Sequence, residues 1–370
     1  MKKILFFIHD LGIGGAEKVL VNLVNNMDKS CFDITVQSLF GGGVNEQFLN
    51  MSIKYKVCFK KSFPGNSHYL KLFKPENLYK RFVKEHYDIV VSFLEGSCAR
   101  IVSGCNDNNT KIVSWIHCKI NDYKTAAIGF RSFSEAQKCY SKFDNTICVS
   151  KWVKNFYTEL FNFNKPIEVL YNTNESSQII KKSYEEIHEV ALSSSVVNIC
   201  SSGKIAKVKA FDRLARIHKR LISEGINNRV YIMGIGSEKK AIENYLRDNG
   251  LTKSFIFLGY QMNPYKFIRK CDLYVCSSLS EGFSTSVTES LIVGTPVVTT
   301  LCSGMQELLG ENNEYGIITE NNEDSLYEGI KKMIVTPGLL EYYSDRAKER
   351  GKDFSTNKTV KAVEEMLISI

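Results

Sequence analysis

The sequence lacks the features of a membrane-spanning, metal-binding or disulfide-rich protein. No apolar run approaches the roughly 18 residues that a membrane helix needs, and the first one, "ILFFI", ends at His9. The eleven cysteines include no C-x-x-C pair, so we expect reduced thiols and no zinc site or disulfide framework. No D-x-D pair occurs, so the usual carboxylate clamp for a divalent ion is missing. Together these absences predict a cytoplasmic protein with no bound metal.

The chain of 370 residues is long enough for two domains of roughly 150–200 residues each. Short, continuous apolar runs alternate with helix-like segments, as in parallel sheets that are covered on both faces. We therefore predict an α/β protein with two Rossmann-like parallel-sheet domains that face each other across a cleft. The predicted strands are residues 3–9, 33–39, 88–94, 111–117, 145–150, 196–202, 229–234, 255–260, 272–278, 296–300 and 315–319.

The predicted domain boundary follows the strands of the first half. We expect domains at residues 1–168 and 169–354, with the polar stretch 171–195 as linker and a helix at 355–370 completing the first domain. Ligands of such folds bind beyond the carboxyl ends of the strands, so the turns after the strands should carry the chemistry. The helices predicted between strands include residues 16–27, 76–86, 210–224 and 239–249.

The net charge of +8 is confined to the first half of the chain. Through residue 168 there are 23 Lys+Arg against 15 Asp+Glu, whereas the remainder has 25 of each. Such an excess either forms a solvated face or meets an anionic partner, such as an acidic membrane surface or a phosphorylated substrate. Nucleic acid is disfavoured because no aromatic platform accompanies the basic residues. Notable among the basic residues of this half are Lys54, Lys56, Lys60, Lys61, Lys71, Lys74, Lys80, Arg81 and Lys84.

The stretch "SEGFSTSVTESLIVGTPVV" at residues 280–298 predicts a helix followed by a buried strand. Ser284 or Ser286 can cap the helix, and the glycine and proline that follow can stop it. Glu289 has two interpretations, because Ser286-x-x-Glu289 fits a capping box as well as a ligand contact. Glu281 precedes the helix, where a carboxylate can accept hydrogen bonds from several sugar hydroxyls.

Two further turns carry candidate anion-binding groups. In "SSGKIAKVKAFDRL", Lys204 and Lys209 flank a turn that leads into a helix near Ala210, and Lys207 either contributes or faces solvent. Two ammonium groups and a helix N-terminus can hold a diphosphate. In "HDLGIGGAEKVL", Gly14 and Gly15 precede a helix whose N–H groups can face an anion, although a tight structural turn explains them equally well.

His117 stands where the strand at residues 111–117 ends, in "SWIHCKIND". A solitary histidine is usually a packing or surface residue. Its place at the carboxyl end of a parallel strand favours a functional role.

In five segments, taken in order, the chain resembles the retaining glycosyltransferases of the GT-B fold, family four. Residues 280–298 are similar to the family pattern E-G-F-G, an apolar stretch, then E and G-x-P-V-V. The other matching segments are "GGAEKVLVNL", "SWIH", "VLYNTNE" and "GKIAKVKAFD".

The resemblance implies a role for each candidate residue. Glu281 would bind the hydroxyls of the donor sugar, Glu289 would bind the ribose, and His117 would contact the transferred sugar. Lys204 and Lys209 would neutralise the departing nucleotide diphosphate, and Gly14 and Gly15 would let the backbone approach that phosphate. The remaining donor-binding positions are Gly203, Gly282, Phe283, Ser284 and Thr285.

Four positions depart from the family pattern. Lys204 stands where an arginine is usual, so a bidentate grip becomes a point charge. Thr173, Ala210 and Ser284 each replace a glycine. None of these changes removes a charged group, but the serine would alter which donor sugar fits.

The resemblance implies a retaining, metal-independent glycosyltransferase of the hexosyl or N-acetylhexosaminyl type, with no cofactor. The donor would be a nucleotide diphosphate sugar, a UDP-sugar in our interpretation. The acceptor would be a glycan on a polyprenyl diphosphate, as in bacterial surface-polysaccharide synthesis, with peripheral contact to an anionic membrane. A GT-B nucleotide-sugar epimerase and a non-catalytic GT-B partner of a transferase or glycan stay open as alternatives.

Overall fold

The computed structural model describes residues 1–118, 120, 122–161 and 165–370. The chain divides into two compact units. The first contains Met1–Asn174 and Thr356–Ile370, and the second contains Glu175–Ser355. No helix in the described ranges combines the length and the apolar character that crossing a membrane requires.

The first unit is built on a parallel sheet that has seven strands in the described ranges, in the order β3-β2-β1-β4-β5-β6-β7. The apolar runs of its central strands are buried, which is why they carry almost no polar alternation. The strands are β1 Lys2–Ile8, β2 Phe32–Phe40, β3 Lys54–Phe59, β4 Ile89–Ser92, β5 Lys111–Ile116, β6 Asn145–Cys148 and β7 Ile167–Val169.

The second unit repeats this plan with six parallel strands in the part of the chain that the structure describes, in the order β10-β9-β8-β11-β12-β13. The α/β class with two parallel sheets is thereby confirmed. The strands are β8 Val197–Ser202, β9 Asn228–Met233, β10 Phe255–Gly259, β11 Leu273–Cys276, β12 Val297–Thr300 and β13 Ile317–Thr319.

Helices connect the parallel strands, as crossovers between such strands require. Among the residues that the structure describes, three short 3₁₀ turns accompany them, at Glu46–Phe48, Lys207–Lys209 and Lys352–Phe354. The helices are α1 Gly15–Asn26, α2 Asn66–Leu72, α3 Pro75–Phe82, α4 Ser97–Val102, α5 Tyr123–Ala126, α6 Phe133–Tyr140, α7 Lys151–Phe161, α8 Ser176–Ser183, α9 Phe211–Ser223, α10 Lys239–Asp248, α11 Tyr265–Lys270, α12 Thr285–Val293, α13 Met305–Leu309, α14 Glu323–Val335, α15 Leu339–Gly351 and α16 Thr356–Ser369.

The strand order reverses once in each sheet. In the first unit the chain adds β2 and β3 on one side of β1 and then returns to place β4 on the other side. In the second unit the same reversal separates β8 from β11. Connections leave in opposite directions at such a point, so the loops after the two strands open a crevice for ligands.

Two strands, β3 and β7, were missed by the search for continuous apolar runs. Both lie at the edges of the first sheet. In β3 the lysines alternate with apolar residues, and Lys54 and Lys56 form ion pairs with Asp33 and Glu85. Charged edge strands of this kind block pairing with other chains. The predicted basic patch is therefore partly neutralised on β3.

The predicted helix at 76–86 is wrong in its extent, because α3 runs only from Pro75 to Phe82. Pro75 occupies the first helical turn, where its missing N–H costs nothing, and Lys74 before it is extended with φ −70° and ψ 150°. This extended residue separates α3 from α2. Val83 is again extended and leads the chain toward β4.

The predicted linker at 171–195 is also partly wrong. The two units divide after Asn174, a few residues beyond the predicted boundary, and β7 still belongs to the first sheet. The helix α8 then follows within the same stretch, and its Ile179 is buried in the second unit. A polar composition concealed this short amphipathic helix.

His218 on α9 is fully buried in the second unit and joins two elements. Its Nδ1 lies 2.7 Å from Asn228 Oδ1, and its Nε2 lies 2.8 Å from Ser254 Oγ. The Asn228 amide nitrogen donates to the Ile226 carbonyl, so its oxygen faces the ring and Nδ1 carries the proton. Burial lowers the pKa of His218, so the folded protein holds a neutral imidazole.

We expect His218 to make folding acid-sensitive. In the unfolded chain the imidazole takes up a proton below about pH 6.5, which the folded state resists, so stability is complete above that pH and falls below it. The limiting slope is about 1.4 kcal/mol per pH unit for one proton. Thermal unfolding at pH 7.5 and pH 5.5 measures this loss, and the variant His218→Gln should lose less. An equal loss in both proteins would contradict the assignment.

Candidate active site

The loop after β8 carries Lys209, one of the predicted cationic residues, and lies at the strand reversal of the second unit. Gly203 has φ +146°, and a Cβ there would lie 3.2 Å from Lys209 Cε, so the lysine stem passes directly over the glycine. The loop ends in the 3₁₀ turn, and Ala210 then adopts a left-handed conformation with φ +48° before α9 begins. That conformation explains why a glycine is usual in the family at this position.

Lys209 and Glu281 form an ion pair at this point. Lys209 Nζ lies 2.6 Å from Glu281 Oε1, and only 22% and 12% of the two side chains are exposed. Burial works to lower the pKa of Lys209, but the Glu281 carboxylate outweighs it and the pKa is raised. The lysine therefore stays charged.

The two oxygens of Glu281 have different surroundings. Oε1 accepts from Lys209 Nζ and from Ser278 Oγ, each at 2.6 Å. Oε2 has no hydrogen-bond partner among the described residues. One oxygen is thus fixed by the protein, and the other can accept hydrogen bonds from a ligand.

Two hydrogen bonds to backbone carbonyls join the loop after β8 to the loop after β11. Ser277 Oγ donates to the Lys209 carbonyl at 2.8 Å, and the Leu279 N–H donates to the Val208 carbonyl at 2.7 Å. These bonds fix the backbone that carries the cation relative to the backbone that carries the carboxylate. This contact could not be predicted from the sequence, because the two loops lie some 70 residues apart along the chain.

The residue at which α12 begins shows which of the two serines, Ser284 or Ser286, caps the helix. Ser284 is the N-cap, and its hydroxyl accepts from the Val287 N–H, while Thr285 begins the helix. Because Ser286 lies inside the helix, the capping box that would have explained Glu289 does not form. Glu289 is a buried carboxylate on α12, with 4% of its surface exposed.

The residues between Glu281 and α12 pack closely against two neighbouring segments of the second unit. Phe283 is buried and lies 5.9 Å from Phe354, measured between ring centroids. A Cβ on Gly304 would lie 3.1 Å from the Gly282 carbonyl, so the loop at Met305 also approaches this backbone closely. Lys204 is exposed, and its side chain makes no hydrogen bond or ion pair within the described part of the chain, although its carbonyl accepts from the Ala206 N–H at 2.8 Å.

The glycine turn of the first unit follows β1. Gly14 is extended and immediately precedes Gly15, the first residue of α1. A Cβ on Gly14 would lie 1.9 Å from Glu17 Oε2, so the carboxylate occupies the space beside this backbone. Burial raises the pKa of Glu17. A phosphate that approached Gly14 would have to displace this side chain.

His117 lies just beyond β5 and is buried. Its ring packs against Phe93 and Trp115, at centroid distances of 4.7 Å and 6.1 Å. Burial lowers the pKa of His117 to about 3. The imidazole is therefore neutral, and its Nε2 is a buried polar atom without a partner in the described ranges.

Sequence reasoning missed Glu95, which follows β4. Its carboxylate accepts the backbone N–H of His117 at 2.6 Å and that of Cys118, and burial raises its pKa. It also missed Ser278. The signal was present in both cases, because each polar residue follows a buried strand at its carboxyl end.

In the described residues, no group of three or more His, Cys, Asp or Glu side chains is arranged to hold a metal ion.

Two family models match the chain in succession. The model described as Glycosyltransferase Family 4 matches residues 13–173, and the model described as Glycosyl transferases group 1 matches residues 183–350. They cover the first and second units in turn.

Individual proteins are similar over nearly the full length. The chain is 28% identical to the N-acetylgalactosamine-N,N'-diacetylbacillosaminyl-diphospho-undecaprenol 4-alpha-N-acetylgalactosaminyltransferase of Campylobacter jejuni, over 97% of each chain. It is 22% identical to the lipopolysaccharide 1,6-galactosyltransferase of Salmonella typhimurium, over 90% of this chain and 92% of that one. The structure of Anabaena Alr3699/HepE in complex with UDP and glucose aligns over all of both chains with a TM-score of 0.79 at 17% identity.

The two models together match residues 13–173 and 183–350, and each matched range lies on one of the two parallel-sheet units. The chain belongs to the GT-B glycosyltransferases of family four.

Proposed function

We propose that this glycosyltransferase transfers a hexosyl or N-acetylhexosaminyl group from a UDP-sugar, with retention at the anomeric carbon. The observation that carries the proposal is the divided carboxylate of Glu281. Its Oε1 is held by Lys209 and Ser278, so its Oε2 is left to accept hydrogen bonds from the hydroxyls of the proposed donor. Glu289, buried on the adjoining helix, is proposed to bind the ribose.

Lys204, Lys209 and the N-terminus of α12 are proposed to stabilise the leaving diphosphate. Charge grows on that group as the glycosyl bond breaks, so these positive groups favour the transition state over the ground state. Gly203, Gly282, Phe283, Ser284 and Thr285 form the backbone around this position. Because lysines supply the positive charge, we propose that no metal or other cofactor is needed.

The first unit is proposed to contribute neutral and backbone groups. His117 would contact the transferred sugar as a neutral imidazole, since burial holds its pKa near 3. Gly14 and Gly15 would admit the phosphate only after Glu17 moves aside. We propose front-face attack by the acceptor, with the leaving phosphate taking the acceptor proton.

The acceptor is proposed to be a glycan on a polyprenyl diphosphate, in bacterial surface-polysaccharide synthesis. The relative from Campylobacter jejuni carries a diphospho-undecaprenol acceptor in its name, and the one from Salmonella typhimurium is named for lipopolysaccharide. The chain matches both over most of its length.

The surface we propose for membrane contact is the segment 60–82, which contains α2 and α3. Leu72 is 75% exposed, and Lys60 and Lys74 are exposed without an ion pair in the described ranges. The buried Arg100 holds this segment, donating to the Leu70 carbonyl at 2.9 Å and to the Phe73 carbonyl at 2.7 Å. A fixed apolar residue between cations suits an anionic lipid surface. The enzyme would then work peripherally at the cytoplasmic face.

A panel of nucleotide sugars, screened by thermal shift, should identify the donor. A ligand that binds only the folded state raises the melting temperature, and we expect a UDP-sugar to raise it most. The selected donor is then tested for transfer to a polyprenyl-diphosphate glycan, with and without EDTA. NMR of the product gives the anomeric configuration. If no nucleotide sugar stabilises the protein, the proposed donor class is wrong. Loss of activity in EDTA would refute metal independence, and an inverted product would refute retention.

The variant Glu281→Gln should reduce kcat/KM for transfer about 10- to 100-fold, because hydrogen bonds to a charged group are worth roughly 1.5–3 kcal/mol. The amide can still accept from Lys209, so the fold should be kept. Glu311→Gln makes the same charge change at an exposed loop of the same unit and should be neutral. Wild-type transfer by Glu281→Gln would refute the role of this carboxylate.

Membrane contact is tested with the double variant Lys60→Gln/Lys74→Gln. The affinity for phosphatidylglycerol vesicles, measured by sedimentation at low salt, should fall by about 30-fold, since the two surface cations contribute roughly 1 kcal/mol each. The control, Lys54→Gln/Lys56→Gln, removes the same charge from ion-paired residues and should bind better than the test variant. Equal binding by both variants, or no binding by the wild type, would rule out this surface.

A further inference from the structure

Asn321 lies directly beyond β13, in none of the segments that resemble the family pattern. Its amide nitrogen lies 3.0 Å from the Leu279 carbonyl and 3.3 Å from the carbonyls of Ser278 and Leu301. These acceptors belong to the loops after β11 and β12. One side chain thus joins the carboxyl ends of three neighbouring strands.

The orientation of this amide is determined by Arg213 on α9. Arg213 Nη1 donates to Asn321 Oδ1 at 2.9 Å. A guanidinium can only donate, so the oxygen of the amide must face Arg213 and its NH₂ must face the loop carbonyls.

The loop that Asn321 holds is the one that positions Glu281. The Ser278 carbonyl accepts from Asn321 Nδ2, from Thr300 Oγ1 at 2.6 Å and from Cys302 Sγ at 3.1 Å. Through its hydroxyl, the same Ser278 donates to Glu281 Oε1. The backbone of one residue is therefore anchored while its side chain holds the carboxylate.

We propose that Asn321 is a positioning residue for sugar transfer, which acts through Ser278 on the Glu281 carboxylate. The proposal rests on the proposed function of Glu281. Asn321 itself touches neither donor nor acceptor. Its loss releases the loop after β11, so the contact that weakens is the one to the sugar hydroxyls. The nucleotide and diphosphate depend on Lys204, Lys209 and α12, which Asn321 does not contact. The loop after β11 also bonds to the Val208 and Lys209 carbonyls, but Lys209 keeps the bond from its own N–H to the Ala206 carbonyl at 2.9 Å.

The variant Asn321→Asp tests this with almost no change in shape. Its carboxylate still accepts from Arg213 but places an oxygen against the carbonyls of Ser278, Leu279 and Leu301. Asn322→Asp is the matched control, because it makes the same charge change next door. Asn322 caps α14 by accepting the Ser325 N–H at 2.7 Å, which an aspartate also does.

Three measurements are compared in wild type and both variants: the Kd of UDP, kcat/KM for transfer from the donor found by thermal shift, and hydrogen exchange of residues 277–283. For Asn321→Asp we expect UDP binding within about threefold of wild type and at least a tenfold loss in kcat/KM, since misplacing an active-site group by an ångström costs on the order of 10²-fold. Exchange over 277–283 should be faster. The control should match the wild type in all three.

Each contrary outcome has a distinct meaning. Wild-type kcat/KM in Asn321→Asp overturns the positioning role. Parallel losses of UDP affinity and turnover also overturn it, because they show a general structural defect. If the wild type transfers no sugar, the proposed function fails instead, and exchange over 277–283 still decides whether Asn321 holds the loop; unchanged exchange would refute that.

Discussion

The parallel arrangement of the strands is the constraint on which both candidate clusters depend. In a parallel sheet all carboxyl ends lie at one edge, and a reversal of strand order leaves the loops there without a crossover to fill the gap. The reversals fall between β1 and β4 and between β8 and β11. Gly14 and Glu95 follow the first pair of strands, and Lys209 and Glu281 follow the second. Each cluster therefore follows from topology before any side chain is considered.

The second unit combines a cation and a carboxylate without leaving either charge uncompensated. Lys209 and Glu281 neutralise each other in a position that is mostly shielded from water. An isolated buried charge would be costly, whereas a pair with an added hydroxyl donor is tolerated. The two oxygens of this carboxylate also have different roles, since Oε1 accepts hydrogen bonds from Lys209 and Ser278 while Oε2 stays open to a ligand. The first unit follows a different principle, because burial keeps His117 neutral and no lysine or arginine pairs with Glu95 in the described residues.

Prediction from the sequence succeeded where one local signal was sufficient. The buried strands gave continuous apolar runs, so their positions were found to within a few residues. The edge strands β3 and β7 lacked that signal, because an edge strand has solvent on one side and tolerates lysine or glutamate. Helix α3 ended early because the chain must extend to enter β4. Ser286 and Glu289 have the spacing of a capping box, but the N-cap is Ser284, two residues before Ser286, so this box does not form.

The sequence by itself determined the α/β class and the two sheets, because these follow from the alternation of apolar runs and helix-like segments, and it indicated the family through the resemblance of five segments. Only the tertiary structure decided which atoms meet. Lys209 and Glu281 are 72 residues apart, and Asn321 lies a further 43 residues beyond Ser278. Contacts between the ends of different strands depend on strand order and register, which sequence spacing does not encode. The partners of Glu281 Oε1 and the orientation of the Asn321 amide therefore emerged only from the fold.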